Sequence, residues 1–95
     1  MPAKRKSPQR RACIALISED DFLVFADGYD AAIIGVTELA DAPAVVYDVE
    51  GVIEILCVRD GMSREDAEEF FAYNIVGAYR GESSPIFVQK IRPGR

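Results

Sequence analysis

Four polar residues carry the spacing that a binding site would need. Asp27 and Asp30 flank Gly28 and Tyr29, Asp48 falls where an apolar run gives way to a helical pattern, and Asn74 follows Phe71 by three positions and Phe70 by four. Carboxylates so placed offer the hard oxygen ligands that magnesium or calcium takes. An amide on an apolar helix face is costly unless something hydrogen-bonds it, either a ligand in a cleft beside Gly77 and Tyr79 or a neighbouring backbone such as the Asp27 to Asp30 turn. Each residue also has a purely structural explanation, since Asp-Gly is ordinary turn composition and Asp48 is well placed to cap a helix. The structural explanation is the stronger one, so Asp27, Asp30, Asp48 and Asn74 stand as candidate ligand residues, with no metal and no cofactor expected.

The chemistry left open is narrow. The chain has no histidine, which removes the commonest general base and metal ligand together. Cys13 and Cys57 lie in the apolar contexts ACIALI and EILCV, where a cysteine is usually a small buried hydrophobe, and nothing nearby in sequence would activate a thiolate. The glycines never assemble into a phosphate-binding loop. A catalytic set is therefore not expected, and the protein reads as a non-enzyme.

Charge is distributed unevenly along the 95 residues. The net charge of −5 is the difference between 11 bases and 16 acids, yet Lys4, Arg5, Lys6, Arg10 and Arg11 crowd the N-terminus and Lys90, Arg92 and Arg95 the C-terminus. Between them only Arg59, Arg64 and Arg80 face all 16 acids, so a strongly acidic body sits between two basic ends. Such a body repels nucleic-acid phosphate and suits a basic protein surface instead. The densest acids are Glu65, Asp66, Glu68 and Glu69, the expected partner-binding face. Residues 1–11 read as a disordered basic arm that would bind nucleic acid only weakly, if at all. No apolar run is long enough for a membrane span or a signal peptide, and with reducing surroundings expected for the cysteines the protein reads as cytoplasmic.

The elements that must position these residues can be argued in turn. Ser63 to Tyr79 predicts the main helix, over about 64–79: Ser63 caps, Asp66 completes a capping-box pattern, and Ala67, Phe70, Phe71, Ile75 and Ala78 make one apolar face. Just before it, Asp48 caps a helix over about 49–59 that Gly61 stops. AAIIGVT and AVVY predict an antiparallel strand pair, with Gly35 marking a bulge, and IFVQKI predicts a third strand. ACIALI reads as a buried strand, although its periodicity is also compatible with a helical start. Ser18 with Asp21 favours a helix over 19–26, with a strand hairpin turning at Asp27-Gly28 as the rival. The expected fold is α+β, a small and mainly antiparallel sheet packed on two consecutive helices, with residues 12–91 forming one domain and 92–95 a tail. A sheet this small also leaves an edge or face through which copies could associate.

The segments DGYDAAIIGV and VVYDVEGVIEILCVRDGMSREDAEEFFAYNIVGAYRGESSPIFV resemble a family of small proteins recurrent in bacteriophage and prophage genomes. The resemblance rests on the Asp-Gly-aromatic-Asp segment, the Tyr-Asp before a helix, the Met-Ser-x-x-Asp-Ala helix start and the Asn-x-x-Gly-Ala-Tyr-x-Gly close, and it spans Asp27 to Val88. It implies a phage accessory protein in the host cytoplasm and carries over no catalytic residue. Combined with the charge map, the expectation is a protein that binds a host or phage protein with a basic surface, such as a nucleic-acid channel in a defence complex. The alternative is a small-ligand or divalent-metal module built on Asp27, Asp30, Asp48 and Asn74.

Overall fold

The computed structural model describes residues 7–38, 42–79, 81, 83–91 and 93. In chain order these form α1 (Pro8–Ile14), a 3-10 turn at Asp30–Ala32, β1 (Ile33–Val36), β2 (Val45–Asp48), α2 (Val49–Asp60), α3 (Arg64–Phe70) and β3 (Ile86–Val88). From the end of α3 the chain continues through a π-helical turn at Phe71–Ile75 and a 3-10 turn at Val76–Ala78. The α+β expectation is met.

The sheet has the order β1-β2-β3, which makes β2 its centre. β1 pairs with β2 antiparallel, and the register slips between Ile33 and Gly35, where the bulge was expected. β3 joins the other edge of β2 in parallel, so the sheet is mixed, with one pair of each kind. The physical reason is the connection. A parallel neighbour needs a long crossover, and the α2–α3 pair supplies it by returning the chain to the end of the sheet where β2 began.

Alternation along β2 turns Val45 and Tyr47 into the core, both fully buried, while Val46 and Asp48 face the other way and stay half-buried. α2 covers that core with Val49, Val52, Ile53 and Leu56, and α3 with its extension adds Ala67 and Ile75. Phe87 of β3 stacks on Tyr47 at 5.4 Å between ring centres and meets Phe71 edge-on at 5.2 Å. These are the two favoured aromatic geometries.

Helix boundaries follow local chemistry. Ser63 accepts the Asp66 N–H at 3.1 Å to open α3, and Gly61, at φ 71°, closes α2 in the left-handed region. Gly51 has a tighter reason to be glycine, because a Cβ there would lie 3.0 Å from the Ala32 Cβ and 3.3 Å from its Cα. α2 therefore approaches the 3-10 turn as closely as backbone allows.

Four expectations are corrected. α1 begins at Pro8, with Ser7 accepting the Arg10 N–H at 3.1 Å, so the end of the supposed disordered arm is helical; residues 1–6 lie outside the described residues, as does most of the 92–95 tail. ACIALI is the last part of α1 and the turn after it, with Cys13 buried and Leu16 72% exposed. A continuous apolar run cannot by itself distinguish a strand from a helix end.

No helix forms over 19–26. Ser18 instead accepts the Asp20 N–H at 3.3 Å in a single turn, and the chain then runs without regular secondary structure to Ala26. The Ala26 N–H is captured by the Tyr47 hydroxyl at 2.7 Å, a partner helical geometry would not have offered. Finally, α-helical geometry ends at Phe70 rather than near Tyr79. The π turn then changes which residues face the core, leaving Asn74 and Ala78 exposed while Ile75 stays buried at 5% exposure.

Two consequences are measurable. Burial pushes the Tyr47 phenol up to about 12 from 10, so the unfolded chain releases that proton first and stability falls as the pH rises through this window. Tyr47→Phe strands the buried Ala26 N–H and is expected to cost about 2 kcal/mol at neutral pH by chemical denaturation. The gap to wild type should then narrow between pH 10 and 12. Gly51→Ala, usually stabilising in a helix, is expected to destabilise by about 1 kcal/mol because overpacking against Ala32 outweighs the gain in propensity.

Candidate functional site

Polar surface gathers in two places, the Asp27 to Asp30 turn and the outer face of α3. At the turn, Arg10 reaches from α1 and donates to both carboxylates, through Nη2 to Asp27 at 2.8 Å and through Nε to Asp30 at 2.9 Å. Ser7 donates to the same Asp30 oxygen at 2.7 Å. The Arg10 guanidinium also lies over the Phe25 ring at 4.5 Å. Burial is the largest effect on Arg10 and opposes its charge, yet the hydrogen bonds to Asp27 and Asp30 outweigh it and leave the pKa raised.

Arg59 grips the same turn from the end of α2. It donates to the Gly28 carbonyl at 2.7 Å and lies over the Tyr29 ring at 5.2 Å. Its Nε pairs with Asp60 at 2.9 Å, a hydrogen bond that holds the Asp60 carboxyl below the usual carboxylate range. Gly28 is at φ 96°, and a Cβ on it would lie 3.1 Å from the Arg59 guanidinium. Both the left-handed backbone and the close approach require glycine there.

Of the candidate ligand residues, the structure brings only Asp27 and Asp30 together, and what joins them is an arginine. Asp48 stands at the N-cap of α2 without a side-chain capping bond, its Oδ2 3.8 Å from the Lys90 Nζ and its Oδ1 buried with no hydrogen-bond partner. The capping explanation for its side chain is thus corrected: the carboxylate makes no capping bond, and its ion pair is with Lys90, just beyond β3. Asn74 sits in the π turn, exposed on the side of α3 that carries acids. It is therefore not the buried amide that helical spacing implied. Among the described residues no group of three carboxylate or thiol side chains is arranged to hold a metal ion.

Cys13 and Cys57 are both free thiols. Burial pushes the Cys13 thiol up, with the Asp30 charge adding to the effect, so it is a poor nucleophile.

The acidic face of α3 is exposed as expected, at Glu65, Asp66, Glu68 and Glu69. Its members differ in charge balance. Arg64 pairs with Glu68 at 2.8 Å, one helical turn on, and with Glu50 of α2 at 2.6 Å. Glu65, Asp66 and Glu69 have no ion pair among the described residues. Asp66 and Glu69 instead border a groove whose other walls are Met62, Phe70, Tyr73 and Asn74. Sequence reading missed this groove, and it missed Arg10 and Arg59 as the residues that organise the Asp-Gly-Tyr-Asp turn. Arg59 adjoins Asp60 in sequence, whereas Arg10 lies in a basic stretch without acids, so nothing local pointed to its role.

Removing the turn's central cation should separate its two supports. Arg10→Met removes the cation shared by Asp27 and Asp30 and is expected to cost about 1–2 kcal/mol, with amide exchange accelerating in α1. Asp27→Asn, at a side chain 93% exposed, should cost no more than about 0.5 kcal/mol. The chain matches no protein-family model, no curated protein and no solved structure, so what its surface recognises has to be argued from its own chemistry.

Proposed function

We propose that this is a non-enzymatic accessory protein of the phage type that acts by binding another protein through the acidic face of α3. The observation that carries the reading is the uneven neutralisation of charge. Arg10, Arg59 and Arg64 are each paired with particular carboxylates, Arg64 with Glu50 and with Glu68 of the acidic face itself, while Glu65, Asp66 and Glu69 are exposed on the same short helix without an ion pair among the described residues. Carboxylates held in that way set up a local negative potential that steers a basic surface into contact and repels nucleic acid.

The partner proposed is a host or phage protein with a basic surface, a nucleic-acid channel in a defence complex being the case in which carboxylates would take the place of phosphates. Binding of nucleic acid by the N-terminal segment itself is weakened by Arg10, whose charge is already engaged by Asp27 and Asp30. The division of Asp27, Asp30, Asp48 and Asn74 among separate places weighs against the small-ligand or metal module. No helix among the described residues is long and apolar enough to cross a membrane.

The test is recovery of a partner from host lysate by the wild-type protein and by a variant carrying Glu65→Gln, Asp66→Asn, Glu68→Gln and Glu69→Gln. The expected outcome is loss of the partner with the variant and progressive loss with added salt for wild type. Equal recovery by both proteins would reject the acidic face.

A further inference from the structure

The fold uses one device twice: an arginine laid over an aromatic ring with its guanidinium paired to carboxylates. Arg10 lies 4.5 Å from the Phe25 ring centre and pairs with Asp27 and Asp30. Arg59 lies 5.2 Å from that of Tyr29 and pairs with Asp60. The groove on α3 presents the same components, the carboxylates of Asp66 and Glu69 beside the rings of Phe70 and Tyr73, with no arginine lining it among the described residues. The arginine nearest in sequence, Arg64, is already paired with Glu50 and Glu68.

We infer that this groove is a receptor for an arginine side chain of the partner protein, a conclusion that rests on the acidic-face reading and makes it specific. Asp66 and Glu69 are three residues apart and so share one rim of α3. The π turn, a feature often found at functional sites, carries Tyr73 out to 76% exposure and sets Asn74 beside it. A planar guanidinium would find in this lining an aromatic face to stack on, carboxylate and amide oxygens to donate to, and Met62 for its aliphatic stem. Other occupants satisfy less of the groove. A phosphate would meet two carboxylates, an apolar group would bury them unpaired, and a lysine ammonium lacks the flat face that stacks.

The test is an NMR titration of the isotope-labelled full chain with acetyl-Gly-Arg-Gly-amide, with the same peptide carrying citrulline, and with the same peptide carrying lysine. Saturable shifts at Met62, Asp66, Glu69, Phe70, Tyr73 and Asn74 are expected with the arginine peptide. Citrulline should weaken binding roughly fivefold or more, Tyr73→Ala by roughly fivefold, and Tyr73→Phe little. Tyr73 is exposed, so its variants should fold. Equal binding of citrulline, or of arginine to Tyr73→Ala, overturns the arginine site. Lysine binding as well as arginine, with no dependence on Tyr73, overturns it while leaving the acidic face standing. Absence of any shift also overturns it, and the lysate experiment then decides the acidic face separately. Peptide-free shifts at the same residues on raising protein concentration would assign the groove to a second copy and reject the partner arginine.

Discussion

The hydrogen bond from the Ala26 N–H to the Tyr47 hydroxyl, 2.7 Å long and buried, is where the separate parts of this small fold are tied together. Tyr47 sits on the central strand, opposite Ile33 of β1 and Phe87 of β3, with no exposed surface. Its ring belongs to the packing between sheet and helices, and its hydroxyl satisfies a backbone donor in a segment with no regular structure. A phenol can do both because it is apolar along its length and polar at its tip. The irregular segment 21–26 is thereby fixed to the sheet at Ala26 without being a strand of it.

Fixing Ala26 also fixes where the Asp-Gly-Tyr-Asp turn begins. The turn is then held from both sides by charge, Arg10 arriving from α1 and Arg59 from α2. In a chain so rich in acid, spending arginines inside the fold has a second effect, since the carboxylates they do not reach remain as field at the surface. The acids of α3 are in that position.

The π turn after Phe70 connects packing to surface in a similar way. Ile75 is kept in the core and Phe71 is kept against Phe87, while Tyr73 and Asn74 are released to solvent. A regular α-helix continuing from Phe70 would have placed Asn74 with Phe70 and Phe71 on one face. The wider turn lets the core retain its aromatic contact and gives α3 a surface with aromatic, amide and carboxylate groups together.

What could be read from the chain alone was whatever depends on neighbours within a few residues. The Ser63 cap, the left-handed Gly61, the AAIIGV and AVVY strands, the extent of α2 and the acid-rich outer side of α3 all follow from local hydrogen bonding and local period, and with them the α+β class. What only the tertiary structure decided involves partners distant in sequence. Ser18 could cap a helix, but the segment after it is not helical, and its Ala26 N–H is taken by Tyr47, 21 residues further on. Pro8 to Cys13 carries no strong helical pattern, yet Asp30 stabilises its helix through Arg10 and Ser7. The direction of β3 was set by the route of two helices, and the position of Asn74 by the contact between Phe71 and Phe87. Local propensity amounts to about a kcal/mol per residue or less, a scale that tertiary contacts of this kind match.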